Sequence, residues 1–230
     1  MFKHKPVDLG YKDLKAVTAK SGRTYNTPDG DKYPSITTVL GILSRDSLAA
    51  WRARVGEEEA NRVSRFASRR GNDVHELLER YINNEEDYLI DPRQPGEREV
   101  ALHVKANFLE VKDVIDEKLS LVYAQEVPLY SDHLTVAGRV DLVGEWNGKP
   151  AIIDFKTSAK RKTRDYIKSY FMQEAFYAIA WEERTGQPIT QLVTIVAGDQ
   201  GGQIFIEHRD EWAPQLIDVI SQYYEEIANG

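Results

Sequence analysis

The amino-acid sequence predicts a fold of the α/β (α+β) class, in which helices flank a central mixed sheet and an N-terminal helical annex precedes it. Apolar residues recur at helical spacing through much of residues 34–119, and strand-like apolar runs take over near residue 120. Helical and strand-like segments then alternate to the end of the chain, which is typical of helices packed on a sheet. We therefore expect a single domain over residues 1–230, mainly helical over 1–119 and sheet-containing over 120–230.

Four helices are expected in the first half of the chain. Residues 1–33 look irregular apart from a short hairpin at a Pro-Asp-Gly turn. A short helix should follow Pro34, because Ser35 or Thr37 can serve as its N-cap. Three longer helices should follow, and apolar side chains line one face of the second and the third. These helices are expected at about 46–55, 57–83 and 96–119.

The second half of the chain should contain five strands and two helices. Asn147-Gly148 lies between two apolar runs and is a strong signal for a two-residue hairpin turn. Gly186 is a helix stop signal. The expected strands span 119–131, 134–146, 149–157, 190–198 and 203–209, and the expected helices span about 165–185 and 211–227.

The composition excludes several classes of protein. With 41% hydrophobic and 29% charged residues the chain can bury a core, so it should be globular. It contains no apolar run long enough for a membrane span, and its first residues resemble neither a secretion signal nor a mitochondrial presequence. The lack of cysteine excludes disulfides, cysteine-ligated zinc, iron–sulfur clusters and thiol nucleophiles, and a cytoplasmic location is expected. A net charge of −7 argues against a generally basic surface but allows a local basic groove.

The hairpin at Asn147-Gly148 holds two aspartates inside apolar strands. Counting outward from the turn pairs Asp141 with Asp154, on one face of the sheet, with Lys156 on the same face. The neighbouring apolar residues should then form the core on the other face. These residues are Val140, Leu142, Ile153 and Phe155.

Two carboxylates placed opposite each other repel, and a divalent cation such as Mg²⁺ or Mn²⁺ would offset this repulsion. The alternative is a structural ion pair between one aspartate and Lys156 or Arg139. A bulge near Pro150 would also turn one aspartate to the opposite face. The pairing, the apolar context and the adjacent lysine together favour the metal site.

These residues also carry a resemblance to a known family. Asp141 followed by Asp154-Phe155-Lys156 resembles the signature of the PD-(D/E)XK nuclease superfamily. Segments similar to motifs of its RecB-like branch are "RRGNDVHELLE" with His75, "QEVPLY" with Glu126, and "QEAFYAI" with Gln173 and Tyr177. The segment "YPSITTVL" resembles part of the mitochondrial genome-maintenance exonuclease and of related phage exonucleases.

The chain departs from the family pattern in three respects. Val140 stands where the superfamily name has proline, although RecB-like members commonly have Gly-x-x-Asp there. The absence of cysteine excludes the iron–sulfur members. There is also no phosphate-binding Gly-x-x-x-x-Gly-Lys-Ser/Thr loop, so a motor would have to be a separate partner chain.

The resemblance implies a role for each site residue. Asp141, Asp154, the Phe155 carbonyl and His75 would bind one or two Mg²⁺ or Mn²⁺ ions. Lys156 would position the attacking water and help it lose its proton, or stabilise the charged transition state. Glu126 could bind a second ion or be a solvated residue of an edge strand.

Substrate contacts are expected on two helices, one loop and the segment before the motifs. The expected residues are Ser35, Thr37, Arg62, Arg65, Arg69, Lys160, Arg161, Lys162, Gln173 and Tyr177. Most of these side chains could instead have a purely structural role. The hydroxyls could cap a helix, the arginines could form a salt-bridged exposed face with Glu58 as a partner of Arg62, and the last two residues could belong to an ordinary amphipathic helix.

The function implied is a metal-dependent DNA exonuclease acting on single strands or free ends in DNA replication, recombination or repair. A structure-specific endonuclease on the same fold and a non-catalytic DNA-binding module are the alternatives. The setting would be the cytoplasm of a bacterial or phage-infected cell, with a recombination or replication protein as a possible partner.

Overall fold

The computed structural model describes residues 1–96 and 98–229. These residues contain nine strands. They are β1 (Lys3–His4), β2 (Ala16–Ala19), β3 (Gly22–Asn26), β4 (Lys32–Pro34), β5 (Leu119–Ser131), β6 (Val136–Trp146), β7 (Lys149–Ser158), β8 (Gln191–Gly198) and β9 (Gln203–His208). A six-stranded sheet has the order β1-β5-β6-β7-β8-β9, and a separate three-stranded sheet has the order β2-β3-β4. The larger sheet is mixed, because β1 runs parallel to β5 and β7 parallel to β8, whereas the other pairs are antiparallel.

The described residues also contain six α-helices and two 3₁₀ turns. The helices are α1 (Ile36–Leu40), α2 (Arg45–Val55), α3 (Glu57–Ile82), α4 (Leu102–Lys118), α5 (Lys168–Thr185) and α6 (Arg209–Asn229). The 3₁₀ turns are Gly41–Ser44, which joins α1 to α2, and Arg164–Ile167, which leads into α5. Within the residues that the structure describes, no helix is both long and apolar enough to cross a membrane.

The large sheet separates two hydrophobic cores. The first core lies under α1, α5 and α6 and includes Val143 and Ile152 of the sheet. The second core lies under α3 and α4 and includes Leu142, Ile153 and Phe155. Alternate residues of β6 and β7 therefore enter opposite cores, as strand geometry requires. The expected mixed sheet flanked by helices is confirmed.

The β6–β7 hairpin has the predicted turn and register. Asn147 and Gly148 both have positive φ, 53° and 72°, as a type I′ turn requires. Five residue pairs keep the predicted register, from Trp146 opposite Lys149 at the turn to Leu142 opposite Ile153. The pairing continues regularly past Pro150, so no bulge shifts the register there.

The face alternation of β6 changes at Asp141. Val140 packs in the first core and Leu142 in the second, although regular alternation would put both on one face. The prediction that Val140 shares the core face of Leu142 is therefore wrong. The β6–β7 ladder stops at Leu142, so the predicted ladder pair of Asp141 with Asp154 is wrong. Beyond Leu142 the Asp141 carboxylate accepts the Phe155 N–H at 2.8 Å.

The N-terminal segment is more ordered than expected. The sequence predicts that residues 1–33 are irregular, but they form β1, which joins the large sheet, and most of the β2-β3-β4 sheet. The Pro-Asp-Gly turn does join two strands, β3 and β4, as predicted. Ser35 caps α1, since its hydroxyl accepts the Thr38 N–H at 3.1 Å.

Two helix boundaries differ from the prediction. The helix expected from residue 96 begins at Leu102, and shortly before it the Val100 N–H donates to the Leu89 carbonyl at 2.8 Å. The helix expected from residue 165 begins with a 3₁₀ turn, and α5 proper starts at Lys168. Val100 still packs against the second core. An apolar residue at this position therefore indicates burial and not helix.

Candidate metal centre

An open cleft of about 470 Å³ lies between α3, the β2-β3-β4 sheet and the middle of β5 and β6. One wall is the face of α3 that carries Gly71, His75 and Glu79. The floor is formed by Glu126 of β5 and Asp141 of β6, at the level where the β6–β7 ladder ends. The cleft therefore gathers residues that are far apart in sequence around the irregular part of the sheet.

Three of the predicted metal ligands come together in this cleft. His75, Glu126 and Asp141 each offer a ligand atom, and these atoms lie within 4.8 Å of one another. The His75 Nδ1 atom is 3.5 Å from the Asp141 Oδ2 atom. One imidazole and two carboxylates form a donor set that suits divalent cations such as Mn²⁺ and Mg²⁺. The residues therefore fit a metal ion.

Glu126 reaches the cleft because its backbone departs from the strand conformation. Its φ is 50°, in the left-handed region that residues other than glycine, asparagine and aspartate seldom adopt. Arg139 donates from its guanidinium to the Glu126 carbonyl and supports this conformation. Burial, together with the charges of Asp141 and Glu79, raises the pKa of Glu126 to about 8. A cation bound beside this carboxyl would relieve the same repulsion.

Asp154, also a predicted ligand, is not among the residues that line the cleft, and it forms a contact pair with Lys156 on β7. The Lys156 ammonium contacts Asp154 Oδ2, and the Asp154 side chain is only 1% exposed. Burial raises the pKa of Asp154 to about 6, and the charge of Asp141 adds to this shift while Lys156 opposes it. Burial alone would lower the pKa of Lys156, but Asp154 and Asp141 outweigh burial and raise it. The ion pair between an aspartate and Lys156, which the sequence offers as the alternative to a metal site, is therefore present.

The two aspartates are linked through β7. Asp141 Oδ2 accepts the N–H of Phe155, the residue between Asp154 and Lys156. The charge of Asp141 also acts on Asp154, which places the two carboxyls in one electrostatic group. The role of the Phe155 carbonyl as a ligand stays a prediction.

Helix α5 covers Asp154 from the first-core side. Gln173 Nε2 lies 3.4 Å from Asp154 Oδ1 and 3.2 Å from the Tyr177 hydroxyl. Tyr177 is itself buried, at 2% exposure, so it supports Gln173 from within the core. The predicted substrate contacts of Gln173 and Tyr177 stay predictions.

Two residues near the site are not among the predicted site residues. Glu174 is fully buried behind Asp154; burial raises its pKa well above the usual range, and Thr194 donates a hydrogen bond to it. The sequence does contain a feature that could have identified Glu174, namely a charged residue inside the apolar run of α5. A buried charge needs a partner, so such a residue indicates a polar site. Tyr170 lies with its ring centroid 5.1 Å from the Lys156 Nζ atom, and the sequence offers no local signal for this contact.

The hydroxyls of the segment before α2 have different surroundings. The Ser35 hydroxyl is 2% exposed and bonds Thr37 and Thr38 as well as capping α1. Thr37 lines a separate cavity of about 180 Å³ together with Tyr170 and Gln173. Helix capping, the structural alternative, is therefore present for Ser35, whereas Thr37 faces open space near the site.

The predicted cationic contacts divide into paired and unpaired side chains. Arg62 forms a two-point ion pair at 2.7 Å with Glu59, rather than with the expected Glu58. Arg65 and Arg69 are exposed and make no ion pair within the described residues. In the loop after β7, the Arg161 guanidinium donates to the Gln200 carbonyl at 3.2 Å, and the side chains of Lys160 and Lys162 pair with no described carboxylate.

Comparison with known proteins identifies the family. The family model described as the PD-(D/E)XK nuclease superfamily matches residues 45–230. No curated protein matches the chain. A solved structure described as SSO0001 is 15% identical with a TM-score of 0.35, covering 53% of this chain and 58% of that one. A "Putative exonuclease" from Eubacterium rectale is 15% identical with a TM-score of 0.34, covering 67% of this chain and 68% of that one. By the extent of the family-model match, the chain belongs to the PD-(D/E)XK nuclease superfamily.

Proposed function

We propose that this protein is a deoxyribonuclease that depends on Mg²⁺ or Mn²⁺ and acts as an exonuclease on single-stranded DNA or DNA ends. The observation that carries the proposal is the group of His75, Glu126 and Asp141, whose ligand atoms lie within 4.8 Å of one another in an open cleft. The Asp154–Lys156 pair adjoins this group.

His75, Glu126, Asp141 and Asp154 would hold one or two ions. A bound divalent ion would polarise the scissile phosphate and lower the pKa of its bound water. The protein's own contribution is to hold these ligands in place. Asp141 is fixed by the Phe155 N–H, and Gln173 contacts Asp154 from α5.

Lys156 would stabilise the negative charge that develops on the phosphate oxygens in the transition state. Its ammonium group is held by Asp154 on one side and by the face of Tyr170 on the other. A charge fixed in this way needs no reorganisation during the reaction, which is the main source of electrostatic catalysis.

The substrate strand would approach over the exposed half of α3 and the loop after β7. Arg65, Arg69, Lys160 and Lys162 carry charges without ion-pair partners among the described residues, and such charges bind phosphates. The expected setting is DNA replication, recombination or repair in the cytoplasm of a bacterial or phage-infected cell, with a recombination or replication protein as partner.

Degradation of three DNA substrates tests the proposal. End-labelled single strands, end-labelled duplexes and closed circles are incubated with the protein in Mg²⁺ or Mn²⁺. An exonuclease releases nucleotides from the single strands and spares the circles. Cleavage of circles would indicate an endonuclease instead. Binding without cleavage in either metal would indicate a non-catalytic DNA-binding module and refute the enzyme.

A further inference from the structure

The β2-β3-β4 sheet contributes one residue to the cleft, and this residue is a cation. Arg23 of β3 lines the cleft together with His75 and Asp141. The family model begins at residue 45, so family membership assigns no role to Arg23 or to the sheet that carries it. A role for Arg23 has to follow from what fixes its backbone and from what its side chain can bind.

The backbone of Arg23 is held on several sides by the start of α1. Its N–H donates to the Thr38 hydroxyl at 3.0 Å, and its carbonyl accepts the Ser35 N–H at 2.8 Å. The preceding Gly22 packs so closely on Thr38 that an added Cβ would lie 2.3 Å from the Thr38 Cγ2 atom. The position of the Arg23 Cα atom relative to the cleft is therefore fixed.

The guanidinium of Arg23, in contrast, has almost no partner. Its Nε atom lies 3.4 Å from the Thr18 hydroxyl, and no carboxylate of the described residues forms an ion pair with it. The second arginine of the cleft, Arg139, is paired with Asp13 at 2.6 Å and also bonds the Glu126 carbonyl. Arg23 is thus an exposed cation on a fixed backbone, in a cleft that carboxylates such as Glu79 and Asp141 also line.

Arginine presents a planar fork of N–H donors that matches the geometry of phosphate. A strand whose scissile phosphate lies at the His75–Asp141 group would bring a neighbouring phosphate to the part of the same cleft that Arg23 lines. We propose, on the basis of the proposed nuclease function, that Arg23 binds a backbone phosphate of the single-stranded DNA substrate and that the β2-β3-β4 sheet forms the second wall of the DNA-binding cleft.

The test measures binding of an internally labelled oligothymidylate by fluorescence anisotropy, in Ca²⁺ to bind the metal centre with slowed cleavage. The variant is Arg23→Ala. The matched control is Lys20→Ala, which removes the same charge from the turn between β2 and β3, at a position that does not line the cleft. Because the Arg23 side chain is exposed and its bonds to α1 are made by backbone atoms, both variants should remain folded.

Arg23→Ala should weaken binding about tenfold, as expected for the loss of a hydrogen bond to a charged group. Binding should also become less sensitive to salt. Between about 50 and 200 mM NaCl, the slope of log K against log salt should be shallower by about 0.7 for one lost phosphate contact on a single strand. Arg23→Lys should keep the slope and regain most of the affinity, and Lys20→Ala should change neither.

The possible outcomes separate this inference from the proposed function. If the wild-type protein binds and cleaves DNA but Arg23→Ala behaves like Lys20→Ala, the role of Arg23 is refuted and the nuclease function stands. A loss of affinity with an unchanged salt slope would mean that Arg23 supports the cleft without touching phosphate, which also refutes it. No binding by the wild-type protein would refute both.

Discussion

Replacing Gly138 by alanine should destabilise the protein by about 1–3 kcal/mol, because the added methyl group has no room. An ideal Cβ at this position of β6 would lie 2.8 Å from Tyr177 Cε1 and 3.0 Å from Ile36 Cγ2. Carbon atoms pack best at about 3.5–4.0 Å, so at least one of these neighbours has to move. Both are fully or almost fully buried, and neither can move into solvent.

The same displacement should reach the proposed catalytic centre. Tyr177 bonds Gln173, and Gln173 in turn contacts Asp154, so a shifted Tyr177 changes how α5 holds that carboxylate. We therefore expect Gly138→Ala to lower nuclease activity as well as stability, without removing any group that touches substrate.

Thermal unfolding followed by circular dichroism measures the effect on stability. For a domain of this size a loss of about 1–3 kcal/mol lowers Tm by about 2–12 °C. Gly41→Ala is the matched control, since an added Cβ there meets nothing within 4 Å and its φ of −58° suits any residue. The control should keep or slightly raise Tm. A Gly138→Ala variant as stable as wild type would refute the close packing of β6 against Tyr177.

Three further changes test the site and its supports. Lys156→Ala should lower kcat about 10²–10³-fold while DNA binding changes little, because its charge is needed in the transition state; unchanged kcat would contradict its assignment. His75→Ala should weaken Mn²⁺ binding at least about tenfold in isothermal titration calorimetry, and equal affinity would remove it from the ligand set. Asp199→Ala should destabilise the protein by about 2 kcal/mol in urea unfolding, because it leaves the buried Arg70 without its partner. The control Arg62→Ala, which removes an exposed ion pair, should change stability little. Equal effects of these last two substitutions would contradict the structural role of Arg70.

The turn, the register and the order of elements could be predicted from the sequence because each has a local cause. Asn147-Gly148 favours one turn type, and that turn sets the pairing of the residues around it as far as Leu142. The apolar runs of β7 and β8 mark buried strands in the same local way. From these local signals alone, the sequence predicts that the candidate ligands of β6 and β7 lie close together.

The shape of the site could not be predicted, because it depends on a departure from strand geometry and on distant contacts. Glu126 has a left-handed backbone that its residue type does not favour, and it is held by Arg139 from the neighbouring strand. At Asp141, where β6 changes face, the carboxylate accepts the Phe155 N–H, a contact that strand periodicity does not predict. Arg23 lies in a segment that looks irregular in sequence, and only the packing of its sheet on α1 brings it to the cleft.

The most direct test of the proposed metal-dependent nuclease is the release of nucleotides from end-labelled single-stranded DNA by the wild-type protein and by Asp154→Asn. We predict that the wild-type protein releases nucleotides in Mg²⁺ or Mn²⁺ and stops when EDTA is added. Asp154→Asn, which keeps the shape of the buried side chain but removes its charge, should release almost none. Release that continues in EDTA would contradict metal dependence, and release that is undiminished in Asp154→Asn would contradict a catalytic role for this carboxylate.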